Sequence, residues 1–259
     1  MHQPGITIIT TVLDSPGNLE QSILSIINQT YTNLEYIVID GGSSGATLEI
    51  IRKYSGSISY WCSEKDSGIA DAMNKGIRAA GKEFILFIHA DDYLADDTAI
   101  ERAMQQVDST HEIYVYKVCL VDGARQFTSR NRGLGFLTNF KMGSCHQGQI
   151  ISRQLLLRSG LLDTGFRIGM DYDFMLRAYR MGAAAKPVDQ VLSVMRLTGI
   201  SSRRSWTGLK ERFMDEKKAH FKNTDSIWLS IVYRIYWPLY LAYRYSRFLL
   251  TSTASGGTG

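Results

Sequence analysis

Between Ile6 and Asp92 the chain alternates short apolar runs with stretches of helical periodicity, and this alternation constrains its fold more than any other feature. Ile6 to Val12 is apolar and threonine-rich and reads as a buried strand, as do Leu34 to Ile39 and Ile58 to Cys62. Glu83 to Ile88 is a strongly apolar fourth. Leu19, Ile23, Ile26 and Ile27 recur at helical spacing behind Asn18, an N-cap candidate with Gln21 at the capping-box position. Thr47 to Tyr54 predicts a short helix. Ser67 to Ala80 predicts a longer one, with Ile69, Met73 and Ile77 on one face and Gly81 as its stop. The pattern predicts an α/β fold, a largely parallel sheet with helices on both faces.

Ligands of such sheets bind beyond the carboxyl ends of the strands. Three polar clusters fall there: Thr10-Thr11, Asp40-Gly41-Gly42-Ser43, and His89-Ala90-Asp91-Asp92. Adjacent acids at a strand end repel, and a divalent cation relieves that repulsion. Asp91 and Asp92 therefore read either as cation ligands or as acids that begin a turn or cap the next helix. Asp40 can accept a hydrogen bond from a base N–H or a ribose hydroxyl, although Asp-Gly-Gly is also ordinary turn chemistry. Gly41, Gly42 and Gly45 do not form a dinucleotide fingerprint, and no P-loop pattern occurs.

The second half is less regular. Asp97 to Val107 predicts a helix, Ile113 to Val121 a strand, Gly133 to Gly148 a loop, Asp171 to Met181 a helix and Val188 to Leu197 a strand. Asp171 and Asp173 at a helix start serve either as a general base or as acids complementing the helix dipole. His146 beside Gln147 reads as a structural histidine or a site residue. The three cysteines, Cys62, Cys119 and Cys145, have neither metal-site nor redox spacing and are expected to be reduced, in a cytosolic protein without a secretory signal.

The formal net charge of +4 is too mild to indicate nucleic acid, but it is unevenly placed. Residues 201–250 hold ten Lys or Arg against four Asp or Glu, a net +6, and the remainder of the chain is slightly acidic. Within it, Ile227 to Leu250 is apolar at 18 of 24 positions. Arg234, Arg244 and Arg247 interrupt it and Pro238 is expected to kink it, so spanning a bilayer is not expected. Its Trp, Tyr and Arg suit a helix lying in the headgroup layer of an anionic membrane. The alternative is a helical hairpin packed on the catalytic domain or on a second subunit, as in a homo-oligomer. The Ser/Thr/Gly tail, 251–259, is expected to be disordered.

Six stretches together resemble the inverting glycosyltransferase family two in its bacterial surface-polysaccharide (colanic acid, lipopolysaccharide, capsule) branch. They are NQTYTNLEYIVIDGGSSGATLEII from Asn28, EKDSGIADAMNKGI from Glu64, FILFIHADD from Phe84, CHQGQIISRQLLLRSG from Cys145, GMDYDFMLRAY from Gly169 and MRLTGISS from Met195. The resemblance implies a GT-A fold, Rossmann-like, over residues 1–203, with C-terminal amphipathic helices over 204–250. It implies a nucleotide-sugar donor, UDP-linked in the first instance, and a glycan or lipid-linked acceptor, with Mn²⁺ or Mg²⁺ as cofactor. Thr10, Thr11, Asp40 and Gly41 would line the nucleotide pocket, with Asp66, Asn74, His89 and Asp91 nearby. Asp91 and Asp92 would face the metal, Asp171 would be the base, and His146 and Gln147 would line the acceptor side. Lys75 or Arg203 would assist the leaving diphosphate. Such an enzyme would work at the cytoplasmic face of the inner membrane.

Five positions depart from the family pattern: His89 for the first acid of D-x-D, Met170 before the base, Gly45-Ala46 for Asp-Gly, and Thr198 for Gly. Asp40, Asp91, Asp92 and Asp171 are all retained, which favours a working enzyme over a non-catalytic binding protein on a degenerate fold. A sugar nucleotidyltransferase would need a Gly-rich loop with Arg and Lys after the first strand, and TTVLDSPGN does not provide one.

Overall fold

The computed structural model describes residues 3–198 and 205–255. The first half follows the alternation read from the sequence. The elements are β1 (Ile6–Val12), α1 (Pro16–Ile27), β2 (Leu34–Asp40), α2 (Ala46–Lys53), β3 (Tyr60–Ser63), α3 (Ile69–Ala79) and β4 (Phe84–Phe87). β2 and β4 flank β1 and β3 flanks β2, all in parallel. Helix α1 begins at Pro16 with Ser15 as N-cap, three residues before the expected start, because proline at N1 is preorganised for the first turn. Asn18 is freed to reach Asp91 instead.

The chain continues as β5 (Asp92–Leu94), α4 (Ala99–Met104), β6 (Ile113–Asp122), β7 (Arg125–Thr128), β8 (Gln149–Ser152), α5 (Arg153–Arg158), α6 (Met170–Arg180) and β9 (Ala185–Arg196). The sheet order is β3-β2-β1-β4-β8-β6-β9-β5, with β7 paired to β6. β8 enters antiparallel between β4 and β6, which carries the sheet past the parallel half. β6 and β9 pair in parallel, and β5 closes the edge antiparallel to β9.

Alternation along β1 sorts the core into two layers, as a strand's period of two requires. Ile6, Ile8 and Val12 join the layer containing Leu19, Ile23, Tyr36 and Ile100, whereas Ile9 joins Met73, Ile77, Phe87 and Leu176 on the other face. The fold is α/β with helices on both faces. Cys62, Cys119 and Cys145 are free thiols.

Two further helices, α7 (Trp206–Lys222) and α8 (Ile227–Ser255), form the C-terminal hairpin. One face of α8 packs inward: Tyr233 and Trp237 join Phe213 of α7 in a small core against Phe140, Trp206 and Tyr236. The packing alternative is therefore what this face does. The opposite face is exposed and apolar, with Trp228 at 79% and Leu239 at 66% exposure and Ile231, Val232 and Ile235 between them. Among the described residues no helix is long and apolar enough to cross a membrane. The helix is continuous through Pro238 and extends to Ser255, so the first five residues of the tail expected to be disordered are helical. Residues 256–259 lie outside the described residues, as do 199–204, which include Arg203 and half of the MRLTGISS stretch.

Candidate active site

β1 has β2 on one side and β4 on the other, and the connections leave it in opposite directions; in such sheets the ligand crevice lies at the carboxyl ends of these strands. Asp40, the last residue of β2, is fully buried there beside Val12. Its Oδ2 accepts from the N–H of Gly42 (3.2 Å), the N–H of Ser43 (2.9 Å) and the hydroxyl of Ser63 (2.6 Å). Its Oδ1 is buried with no partner among the described residues. Asp66 closes over the same turn, with Oδ1 accepting from Gly68 N (3.0 Å). Its Oδ2 lies 2.7 Å from where a Cβ on Gly41 would stand, so a side chain there would displace the Asp66 carboxylate. Ser43 Oγ accepts from Asp14 N (2.7 Å), and Asp14 accepts from Ser44 N (3.1 Å), which ties the β1 loop to the β2 loop.

The two threonines of β1 part company. Thr10 turns into the core, where its oxygen accepts from the Tyr36 hydroxyl (3.1 Å). Thr11 turns into the crevice and bonds His89 Nδ1 (2.8 Å). The His89 ring lies 4.8 Å from that of His146, and the Nε2 atoms of both are buried without partners among the described residues. Burial, with His146 beside it, holds the His89 pKa well below the ordinary value, so the ring is neutral.

Asp91 and Asp92 do not act as a pair, contrary to the expectation from their adjacency. Asp91 lies in the turn before β5, and its Oδ1 accepts from Ser15 Oγ (3.1 Å) and Asn18 Nδ2 (3.3 Å). Asp92 belongs to β5, is 3% exposed and accepts from Gln147 Nε2 (2.9 Å) in the interior. Burial raises the Asp92 pKa to about 6; the Gln147 bond and the His146 charge oppose the rise, and Asp91 adds to it. Among the described residues no three His, Cys, Asp or Glu converge as a cation site. Mg²⁺ and Mn²⁺ commonly use one or two carboxylates and complete their shell with substrate phosphates. Asp91, partly exposed at the crevice, fits that donor set, whereas Asp92, committed to Gln147, does not.

Two acids begin α6, and the structure separates them clearly. Asp171 keeps 28% of its side chain exposed, with Oδ2 at 3.5 Å from His146 Nδ1. Asp173 is 0% exposed and is held by Arg177 (2.9 Å), Lys222 (2.9 Å) and Asn223 (2.8 Å). Met170 is buried in the core and anchors the helix start. Asn74 is placed apart from this group: its amide bonds the Leu162 backbone in both directions, at 2.8 and 2.9 Å. Lys75 pairs with Glu64 (2.9 Å) and Asp71 (3.9 Å). Glu216 of α7, which nothing in the sequence pattern singled out, reaches the Asp171 neighbourhood. Burial raises its pKa against the pull of Arg212, and the Asp171 charge reinforces the rise.

Eight buried side-chain polar atoms among the described residues have no hydrogen-bond partner, and four belong to this one region: Asp40 Oδ1, His89 Nε2, His146 Nε2 and Gln147 Oε1. Buried polar groups are normally satisfied, so such a concentration marks a place built for a polar ligand.

Comparison with known proteins agrees with this geometry. Residues 7–182 match the family described as Glycosyl transferase family 2. An uncharacterised glycosyltransferase of Mycobacterium tuberculosis is 29% identical over 212 residues, 78% of each chain. A PGL/p-HBAD biosynthesis glycosyltransferase of Mycobacterium bovis is 27% identical over 247 residues, covering 92% of this chain and 93% of its own length. Among solved structures, S. aureus TarS 1-349 with UDP-GlcNAc superposes with a TM-score of 0.66 at 17% identity, over 86% of this chain and 68% of that one. The mannosyltransferase PcManGT from Pyrobaculum calidifontis, with GDP-Man and Mn²⁺, gives a TM-score of 0.70 at 17% identity, over 100% and 76%. The solved structures establish the GT-A fold, and the family match establishes the activity class: the chain is a glycosyltransferase that belongs to glycosyl transferase family 2.

Proposed function

We propose that the chain moves a sugar from a nucleoside-diphosphate sugar, UDP-linked in the first instance, to a hydroxyl of a glycan or lipid-linked acceptor, with inversion at the anomeric carbon. The observation that carries this reading is the group of four unsatisfied polar atoms at the crevice, with Asp171 at its edge. In the donor half, Asp40 Oδ1 accepts an N–H of the base, and the turn at Gly41 lets the nucleoside approach the backbone. Thr11 orients the His89 ring through Nδ1, leaving Nε2 for the ligand, and burial keeps the ring neutral. A divalent cation on Asp91 would neutralise the leaving diphosphate. In the acceptor half, Asp171 takes the proton of the incoming hydroxyl, with His146 beside it and Gln147 holding Asp92 in place. No enzyme nucleophile is needed, and a single displacement inverts configuration. The Mycobacterium bovis relative, named for PGL/p-HBAD biosynthesis, supports a place for this chain in the biosynthesis of a glycosylated product.

The donor half is tested by calorimetry with UDP and GDP, with and without Mn²⁺. Asp40→Ala is expected to weaken nucleotide binding by about 10–100-fold, the value of a hydrogen bond to a buried charge. Asp91→Asn is expected to abolish the gain in affinity that Mn²⁺ provides while leaving metal-free binding unchanged. Equal Mn²⁺ dependence in wild type and Asp91→Asn would remove the metal role from Asp91.

The exposed face of α8 extends the reading to an anionic membrane, at the cytoplasmic face of the inner membrane. Its apolar stripe runs beside exposed Arg234 and Arg247 in a segment of net +6. Ile235→Asp with Leu239→Asp, both exposed positions, is expected to release the protein from anionic vesicles without unfolding it. Wild-type binding should weaken as salt rises. Vesicle binding unchanged by the pair would leave the stripe to a protein contact such as a second subunit.

A further inference from the structure

The loop that delivers Asp171 is held by a helix beyond the family match, which ends at residue 182. Three successive N–H groups, of Arg167 (3.0 Å), Ile168 (2.8 Å) and Gly169 (3.2 Å), all donate to one oxygen, Oδ2 of Asp215 in α7. These residues run straight into the first turn of α6, where backbone N–H groups have no intrahelical acceptor. The approach is close: a Cβ on Gly169 would stand 3.0 Å from the Asp215 Cβ. The same helix then holds the two residues after Asp171. His220 Nε2 bonds the Tyr172 hydroxyl (2.6 Å), and Lys222 and the adjoining Asn223 hold Asp173. Asp171 thus lies between α7-bound neighbours on both sides; its Oδ1 accepts from Tyr172 N (2.8 Å) and its Oδ2 faces His146.

We propose that Asp215 is a positioning residue for glycosyl transfer: by gathering the three amides of residues 167–169 it fixes the direction in which Asp171 presents its carboxylate. The inference rests on the reading of Asp171 as the base. Bonds from N–H to an ionised carboxylate are stronger than neutral ones, and three on one oxygen define the loop path closely. A displacement of about 1 Å at a reacting group costs about 10²-fold in rate, so a slack loop would be felt in turnover before it was felt in donor binding.

The test uses the full chain with UDP-GlcNAc and GDP-mannose in Mn²⁺, reading release of the nucleoside diphosphate, UDP or GDP affinity, and hydrogen exchange of residues 165–173. Asp215→Ala is expected to lower turnover by about 10–100-fold with nucleotide affinity within about two-fold, and to lose protection at 167–169. Asp215→Asn, which keeps an acceptor oxygen but not the charge, should fall between the two. Placed on Asp171→Asn, the Asp215→Ala change should slow turnover no further, because it acts through the group already removed. A merely structural tie would instead lower folded yield and slow both backgrounds by the same factor. The proposal is overturned if Asp215→Ala keeps wild-type turnover per folded molecule, if exchange at 167–169 is unchanged, or if its effect repeats in full on Asp171→Asn. If Asp215→Ala does not fold, Asp215→Asn carries the test, and its exchange and turnover must change together. An active Asp171→Asn would refute the base assignment itself, an outcome distinct from failure of Asp215.

Discussion

Asp171→Asn is expected to lower sugar transfer by about 10²–10⁴-fold while leaving donor affinity within a few-fold of wild type. The base acts on the acceptor's proton alone, so its loss falls on the chemical step. Asparagine keeps the shape and the first-turn hydrogen-bonding capacity, which separates the catalytic role from helix capping. Asp173→Asn should behave differently. Its carboxylate is fully buried and carries Arg177, Lys222 and Asn223, so neutralising it leaves Arg177 without its carboxylate and Lys222 with Asp163 alone. The expected result is loss of thermal stability with turnover per folded molecule much closer to wild type. Transition temperatures measured beside single-turnover rates distinguish the two. Normal turnover in Asp171→Asn with a dead but folded Asp173→Asn would reverse the assignment, and activity in both would move the base to His146.

Trp237→Ala should lower stability by about 3–5 kcal/mol, because truncating a buried tryptophan removes its transfer energy and leaves a cavity. Trp237 is 1% exposed, and its Nε1–H donates to His220 Nδ1 (3.0 Å). Tryptophan can only donate, so that bond fixes the His220 tautomer with its proton on Nε2, directed at Tyr172. A protonated ring would set N–H against N–H. Burial, with Arg180 adding to it, accordingly lowers the His220 pKa to about 4. The unfolded chain binds this proton near pH 6.5, the native chain only near 4. Stability therefore falls as pH drops through that window, by about 3 kcal/mol from this group when complete. Urea denaturation at pH 7.5 and pH 5 reads the slope. It should be shallower in His220→Gln, which cannot titrate. An equal slope in that variant would assign the acid sensitivity to other groups.

The parallel half of the fold was legible because each element there announces itself locally. Apolar runs gave β1, β2, β3 and β4, and i, i+4 apolar spacing gave α1 and α3. β5, β7, β8 and α5 were not foreseen: they are short, and β8 forms only because β4 and β6 present edges from distant parts of the chain. The site divided in the same way. Asp40, Thr11, His89, Asp91 and Asp171 stand at strand or helix ends, where position alone suggests function. Thr10 bonds Tyr36 rather than His89 because a strand's period of two sends neighbours to opposite faces, and Thr10 shares the face of Tyr36. Asn74 shows no outward sign of its bonds to Leu162, 88 residues away in sequence. Asp215 and Glu216 entered the sequence reading only as charges, since their relation to residues 167–171 exists only once α7 has packed on α6. The C-terminal helix showed its aromatic content in sequence, but not which face turned inward.

The most direct measurement of the whole account is proton NMR of the enzyme with a UDP- or GDP-linked sugar, following the anomeric signal of the first product formed as the nucleoside diphosphate is released. A product of inverted configuration, formed by wild type and absent with Asp171→Asn although nucleotide still binds, is the predicted result. A product of retained configuration, or a sugar covalently attached to the protein, would contradict single displacement with Asp171 as its base.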